Sequence, residues 1–172
     1  MNKFEDLIDE FQVKQKIWLI TGIAGFIGSN LAEFLLKHNQ KVVGIDNFST
    51  GYQKNLDMIK ESIGDEKYKN LNFIKGDISE YSTCKKACIG VDIILHQAAL
   101  GSVPRSIADP VTSNLSNITG FLNMLTAAKD EGVKRFVYAS SSSVYGDSVE
   151  LPKLEKDEPA KEAEKSKKES KK

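Results

Sequence analysis

The sequence predicts an α/β fold: a parallel sheet wound on both faces by helices. Three observations carry that prediction. Short apolar runs alternate with helical patterns along the chain, and parallel strands require such crossovers. The runs are nearly continuous in apolar residues, as strands covered on both faces are. The first run also ends in a glycine turn that opens directly into a helix.

Taken in order, residues 1–15 carry Phe4, Leu7, Ile8 and Phe11 at helical spacing, which predicts a short amphipathic N-terminal helix. KIWLIT (16–21) is the first strand. A helix follows with Ile27, Leu31, Phe34 and Leu35 on one face. KVVGI (41–45) is the second strand, and residues 52–62 form a helix anchored by Leu56 and Ile59. LNFI (71–74) is the third strand, with a small helix near 80–88 behind it. VDIIL (91–95) is the fourth strand. Residues 112–130 predict a strong helix, with Leu115, Ile118, Leu122 and Leu125 at spacings of three and four. VKRFVYA (133–139) is the fifth strand. The crossovers are expected to be right-handed. From Lys153 to Lys172 the chain holds eight lysines and six acids and no aromatic. Such a segment buries too little apolar area to offset its ordering entropy, so residues 153–172 are expected to form a charged tail, disordered or at most a frayed helix.

Bulk composition excludes several function classes. With 172 residues the chain can build one domain and one sizeable core. Its net charge of zero gives no electrostatic case for nucleic acid or an anionic membrane. No apolar run is long enough for a membrane span, and the acidic start is not a secretory signal. Cys84 and Cys88 stand four apart on one helix. With no second Cys/His cluster they read as packed thiols, not a metal or redox pair. The expected setting is the reducing cytoplasm. His38 and His96 are far apart and predict no metal site.

The glycine turn carries the chemistry. Gly22, Gly25 and Gly28 stand three apart, directly after a strand and opening a helix. The first permits a tight turn. The second lets the backbone approach a pyrophosphate, and the third lets the helix pack close to the sheet. The helix start then offers free N–H groups to phosphate. Asp46 lies 18 residues past Gly28, immediately after the second strand. A carboxylate there accepts from the adenosine ribose hydroxyls of NAD and repels the extra phosphate of NADP. Strand, turn, helix, strand and acid in this register predict a Rossmann-type NAD-binding domain over residues 16–152, truncated after the fifth strand.

Residues 16–152 resemble the extended short-chain dehydrogenase/reductase family, and within it the nucleotide-sugar 4-epimerases. TGIAGFIGSNL, GIDNFSTG, GDI at 76–78, HQAALGSVPRSIADP, SNITGFLNML and YASSSSVYGD carry the resemblance. HQAALGSVPRSI with DNFSTG resembles the enzymes acting on UDP-N-acetylhexosamine sugars more than the narrow UDP-glucose enzymes. The resemblance implies roles residue by residue. Phe26 and Ile27 would give backbone N–H groups to the pyrophosphate, and Asp46 and Asn47 would face the adenosine ribose. Asp77 and Ile78 would meet the adenine edge, although Asp77 could instead cap the next helix. Gln97, Ala98 and Ala99 would lie along the cofactor's centre, or form a mere turn. Asn117 would brace the nicotinamide side, unless it is a surface asparagine. Ser102, Val103 and Arg105 would line the sugar-nucleotide entrance, with Arg105 otherwise an ordinary surface charge. The family's active serine or threonine lies four residues before the Tyr of a Tyr-Gly pair. Tyr145 and Gly146 are that pair, so Ser141 is the catalytic candidate, with Ser142 and Ser143 beside it. A flexible serine turn is the alternative.

The family's catalytic set is completed by Tyr-x-x-x-Lys, whose lysine lowers the tyrosine pKa so that it acts as general base. The tyrosines here are 52, 68, 81, 138 and 145. None has a lysine four residues later in the expected place, and none follows Tyr145. The resemblance therefore implies the N-terminal part of an NAD-dependent 4-epimerase, as a truncated or split gene product. A complementary C-terminal polypeptide, a UDP-sugar and a homodimer are the partners it implies. A catalytically silent NAD-binding module is the alternative from a different class. A dehydratase relative is disfavoured, because serines stand where dehydratases place an acid pair.

Overall fold

The computed structural model describes residues 3–141 and Val144. Five strands form one parallel sheet in the order β3-β2-β1-β4-β5: β1 (Ile17–Thr21), β2 (Lys41–Asp46), β3 (Leu71–Lys75), β4 (Ile93–His96) and β5 (Arg135–Tyr138). The helices are α1 (Lys3–Val13), α2 (Phe26–Lys37), α3 (Gln53–Tyr68), α4 (Tyr81–Cys88), α5 (Val103–Ala108), α6 (Pro110–Asn114) and α7 (Gly120–Asp130). A π-helical turn, Leu115–Thr119, joins α6 to α7. The chain divides after Tyr138, and the sheet lies wholly in the first unit.

β1 is the hinge of the topology. It pairs with β2, Thr21 opposite Ile45, and with β4, Thr21 opposite His96. Alternation sends its side chains to two cores. Trp18 and Ile20 join Ala32, Leu36, Leu56 and Ile59 under α2 and α3. Leu19 joins Ile94, Cys84, Cys88, Met124 and Ala127 under α4 and α7. The winding reverses between β1 and β4, and the carboxyl ends of the strands open a crevice at such a point.

α1 is packed into the first core. Phe11 is buried, with its ring edge-on to Trp18 at 5.7 Å. Gln40, fully buried, donates to the Phe11 carbonyl at 3.1 Å and accepts from Trp18 Nε1 at 3.2 Å. Ile8 is half-buried; the side chains of Phe4 and Leu7 lie outside those described.

Two helices depart from expectation. α3 continues past residue 62 through Gly64, whose φ of 79° interrupts the helix. The helix expected over 112–130 starts slightly earlier, at Pro110 behind the cap Asp109, and changes character midway: the π-turn Leu115–Thr119 separates α6 from α7 while the backbone stays helical. Leu115, Ile118, Leu122 and Leu125 also do not face the core: they are 44%, 64%, 61% and 38% exposed. α7 buries Gly120, Met124, Ala127 and Ala128 instead. Its mostly small residues let it lie close against its neighbours, and the larger apolar stripe is turned outward.

Candidate functional site

β1 ends at Thr21, and the chain must turn at once to begin α2. Gly22 makes that turn with φ +69°, and a Cβ there would stand 2.9 Å from the Ala98 nitrogen. A Cβ on Gly28 would stand 2.2 Å from the Gly22 carbonyl oxygen, so α2 is pressed onto the turn. At Gly25, the N-cap, the same distance would be 3.2 Å. Phe26, Ile27 and Gly28 open α2, and their N–H groups have no acceptor within the helix. The helix dipole adds partial positive charge at the same place.

Asp46 closes β2 beside this turn. One carboxylate oxygen accepts the Ala24 N–H at 2.9 Å and the other accepts the Phe48 N–H at 2.8 Å. A carboxylate offers about four acceptor positions, so two remain. The Ala24 carbonyl is held in turn by the Tyr52 N–H at 3.0 Å and by Asn55 Nδ2 at 2.7 Å. Asp46 is therefore also the tie that shapes the glycine loop, a role not read from spacing.

Phe48 follows with φ 60°, a conformation rare for a bulky residue. Its ring packs on Phe73 at 5.5 Å. The reversal brings Ser49, Thr50 and Gly51 back to line the crevice. Sequence reasoning missed these three. They directly follow the acid in the chain, but no spacing rule announces a left-handed phenylalanine.

Asn47 Nδ2 donates to Asp77 at 2.7 Å, and the Ser79 N–H donates to its other oxygen at 2.8 Å. Burial pushes the Asp77 carboxyl up, but these bonds outweigh it and hold the group below the ordinary carboxylate range. The cap of α4 is Glu80, not Asp77.

Beneath the crevice, Thr21 Oγ1 accepts the Gln97 and Ala98 N–H groups, both at 3.1 Å. With those positions used, its own hydrogen goes to His96 Nδ1 at 2.9 Å. Burial pushes His96 down to about 4, so the ring is neutral near pH 7.

These parts enclose a cleft of about 380 Å³, lined by Gly22, Gly25, Phe26, Ile27, Gly28, Asp46, Asn47, Asp77, Ile78, Gln97, Ala98 and Ala99. Asn117 is the one candidate cofactor residue that does not line it. Instead its amide brackets Leu100 from the π-turn, with Oδ1 accepting the Leu100 N–H at 2.8 Å and Nδ2 donating to the Leu100 carbonyl at 2.9 Å. Ser116, its neighbour, lines the cleft, as do Leu100 and Gly76. Ser102, Val103 and Arg105 do not. Ser102 Oγ caps α5 by accepting the Arg105 N–H at 3.3 Å, and all three residues are exposed.

Ser141 lies beyond Tyr138, in the second unit, where its carbonyl accepts the Val144 N–H at 3.1 Å. Ser142, Ser143, Tyr145, Gly146 and residues 153–172 lie outside the described residues. Tyr81 and Lys85 have the four-residue spacing of a tyrosine–lysine pair, but they sit on α4. The Tyr81 hydroxyl donates to Asp130 at 2.6 Å, and that bond raises the phenol pKa, the wrong direction for a base. Among the described residues no His, Cys, Asp or Glu group is placed to hold a metal ion. No helix among them is long and apolar enough to cross a membrane.

Residues 18–167 match the model of the NAD dependent epimerase/dehydratase family. The chain belongs to that family. Among its relatives is a UDP-glucuronate 4-epimerase of Thermodesulfobacterium geofontis, 38% identical over 130 residues, which are 74% of this chain and 40% of that protein. The structure of a UDP-glucose-4-epimerase from Stenotrophomonas maltophila with bound NAD and formylated UDP-arabinopyranose has a TM-score of 0.76 at 30% identity. It covers 84% of this chain and 43% of its own. A UDP-N-acetylglucosamine 4-epimerase from Methanobrevibacter ruminantium, in complex with UDP-N-acetylmuramic acid, has a TM-score of 0.72 at 34% identity, covering 84% and 44%. The chain thus spans well under half of the length of these epimerases.

Proposed function

We propose that the cleft binds NAD and that the chain is the cofactor half of a nucleotide-sugar 4-epimerase acting on a UDP-N-acetylhexosamine. One observation carries this reading: the glycine cradle and Asp46 converge at the carboxyl ends of β1 and β2, beside the β1–β4 boundary where the winding reverses. The residues fit the group. Side-chain-free backbone at Gly25 and the N–H groups of Phe26 and Ile27 suit a pyrophosphate. Asp46 keeps acceptor positions for two ribose hydroxyls, and Asn47, Asp77 and Ile78 stand on the adenine side. When bound, NAD would supply a reversible hydride acceptor for the sugar C4. Gln97–Ala99 would position its central part, and Asn117 would act through Leu100.

Ser141, with Ser142 and Ser143, is proposed to hydrogen-bond the reacting sugar hydroxyl, and Ser102, Val103 and Arg105 to border the sugar nucleotide. Turnover also needs a general base. No Tyr-x-x-x-Lys follows the serine run in these 172 residues, so we assign the base to polypeptide outside them and expect the chain alone to be inactive. The outward stripe of Leu115, Ile118, Leu122 and Leu125 is apolar surface of the kind that a complementary half or a second copy covers. Cys84 and Cys88 are buried, free thiols pushed up to about 12 by burial, which fits the cytoplasm.

Calorimetric titration tests the reading. NAD should bind more tightly than NADP, and Asp46→Asn should weaken NAD by about 1–3 kcal/mol, the cost of a lost charged hydrogen bond. The same variant should narrow the NAD/NADP ratio. Equal affinity for both in the unaltered chain overturns the assignment.

A further inference from the structure

The π-turn and α7 together touch both walls of the cleft, from the two sides of Gly120. Asn117 brackets Leu100 on one wall. Six residues on, Asn123 Nδ2 donates to the carbonyls of Ile78 at 3.1 Å and Ser79 at 2.8 Å on the other. Between them Gly120 lets the helix approach: a Cβ there would meet Ile78 Cγ1 at 2.6 Å. Asn123 does not line the cleft, whereas Asp77 and Ile78 do. The Asp77 carboxylate is fixed from its other sides by Asn47 and by the Ser79 N–H. The Ile78–Ser79 peptide is thus gripped at both ends, its N–H by Asp77 and its carbonyl by Asn123.

We propose that Asn123 is a positioning residue: by holding the Ile78 and Ser79 carbonyls it aims the Asp77 carboxylate, and so sets which base the cleft accepts. This rests on the cleft binding NAD with its adenine beside Asp77. An ionised carboxylate only accepts hydrogen bonds. It suits the 6-amino group of adenine and opposes the 6-carbonyl of hypoxanthine. A site built around one hydrogen bond rejects the analogue lacking it only while its polar group is held in place. With Asn123 gone, the Ser79 carbonyl loses the amide that holds it, and the Ile78 carbonyl is left to the weaker Cys84 S–H at 3.1 Å.

The test compares NAD with nicotinamide hypoxanthine dinucleotide by calorimetry on the full 172-residue chain and on Asn123→Leu, which conserves volume and removes both donors. The unaltered chain should prefer NAD by about tenfold or more. In Asn123→Leu that ratio should fall to about twofold or less, mainly through loss of NAD affinity. Asn123→Ser, which keeps one donor and buries no apolar branch against the two carbonyls, should give an intermediate ratio and serves if the leucine variant does not fold. A purely structural role for Asn123 would weaken both dinucleotides equally; an unchanged ratio in a folded variant overturns the proposal. A chain that binds NAD without preferring adenine also overturns it, leaving the cofactor reading intact. If the unaltered chain binds neither dinucleotide, the cofactor reading fails and this inference with it.

Discussion

His96 makes a prediction that needs no ligand. The ring is buried, and its neighbours are the Thr21 hydroxyl at 2.9 Å and the rings of Phe121 at 5.4 Å and Phe136 at 5.6 Å. Burial alone depresses its pKa from 6.5 to about 4. Protonating Nδ1 would also set an N–H against a hydroxyl already committed to two amides. The unfolded chain therefore takes up a proton near pH 6.5 that the folded chain refuses until about pH 4. His96 leaves stability whole above that window; its contribution falls away across it and levels off below. Between those limits the loss amounts to about 3 kcal/mol, a large share of the 5–15 kcal/mol or so typical of a domain. The chain's one tryptophan, Trp18, is buried and reports unfolding by fluorescence. Urea midpoints should drop steadily from pH 7 to pH 5. They should drop much less in His96→Gln, which cannot charge. Carboxylates held low in the fold, Asp77 and Glu33 among them, lose their contributions only toward the acid end, so the upper part of the window isolates the histidine. Midpoints that do not move between pH 7 and 5, or that move equally in both proteins, would refute the reasoning.

Further outcomes follow from the glycine turn and from the proposed assignment of the general base. Gly28→Ala, whose Cβ would stand 2.2 Å from the Gly22 carbonyl, should lower the thermal midpoint and abolish NAD binding together, by overpacking worth about 1–3 kcal/mol or more. Gly25→Val should abolish binding while far-UV circular dichroism stays nearly unchanged; surviving binding would move the phosphate site elsewhere. The chain alone should not interconvert UDP-N-acetylglucosamine and UDP-N-acetylgalactosamine, since general base catalysis is worth about 10²–10⁴-fold. Adding the C-terminal half of a full-length relative should restore turnover, less so with Ser141→Ala; turnover by the lone chain would contradict the account of the base.

The parts of the fold legible in the sequence were those encoded over short distances. The five strands are short, mostly apolar runs between helical patterns, whereas their order in the sheet was supplied by the structure. Gly22, Gly25, Gly28 and Asp46 could be placed because each answers a steric or charge demand at one position. What was not legible depends on contacts between distant segments. Ser49, Thr50 and Gly51 reach the cleft only because Phe48 adopts a left-handed backbone, steadied by Asp46 and Phe73. The stripe Leu115–Leu125 has the spacing of a core face, but close packing at Gly120 and Ala127 gives the core to the small residues. Asn117 reads as a polar residue in a helix, and its grip on Leu100 depends on a turn that periodicity does not reveal.

That turn has a consequence for how the segment tolerates change. A π-turn holds about one residue more than the α-helical turn it replaces. Deleting Ile118 would let the helix close into regular geometry, gaining local regularity. The side chains before the deletion would then rotate by about 100° relative to those after it. Asn117 would lose Leu100 while Asn123 kept Ile78, and the two walls would no longer share one strut. Substitutions on the outward side of this helix touch neither wall. The segment is thus permissive to replacement and unforgiving of a change in length, a constraint stored in its phase and not in the identity of its surface residues.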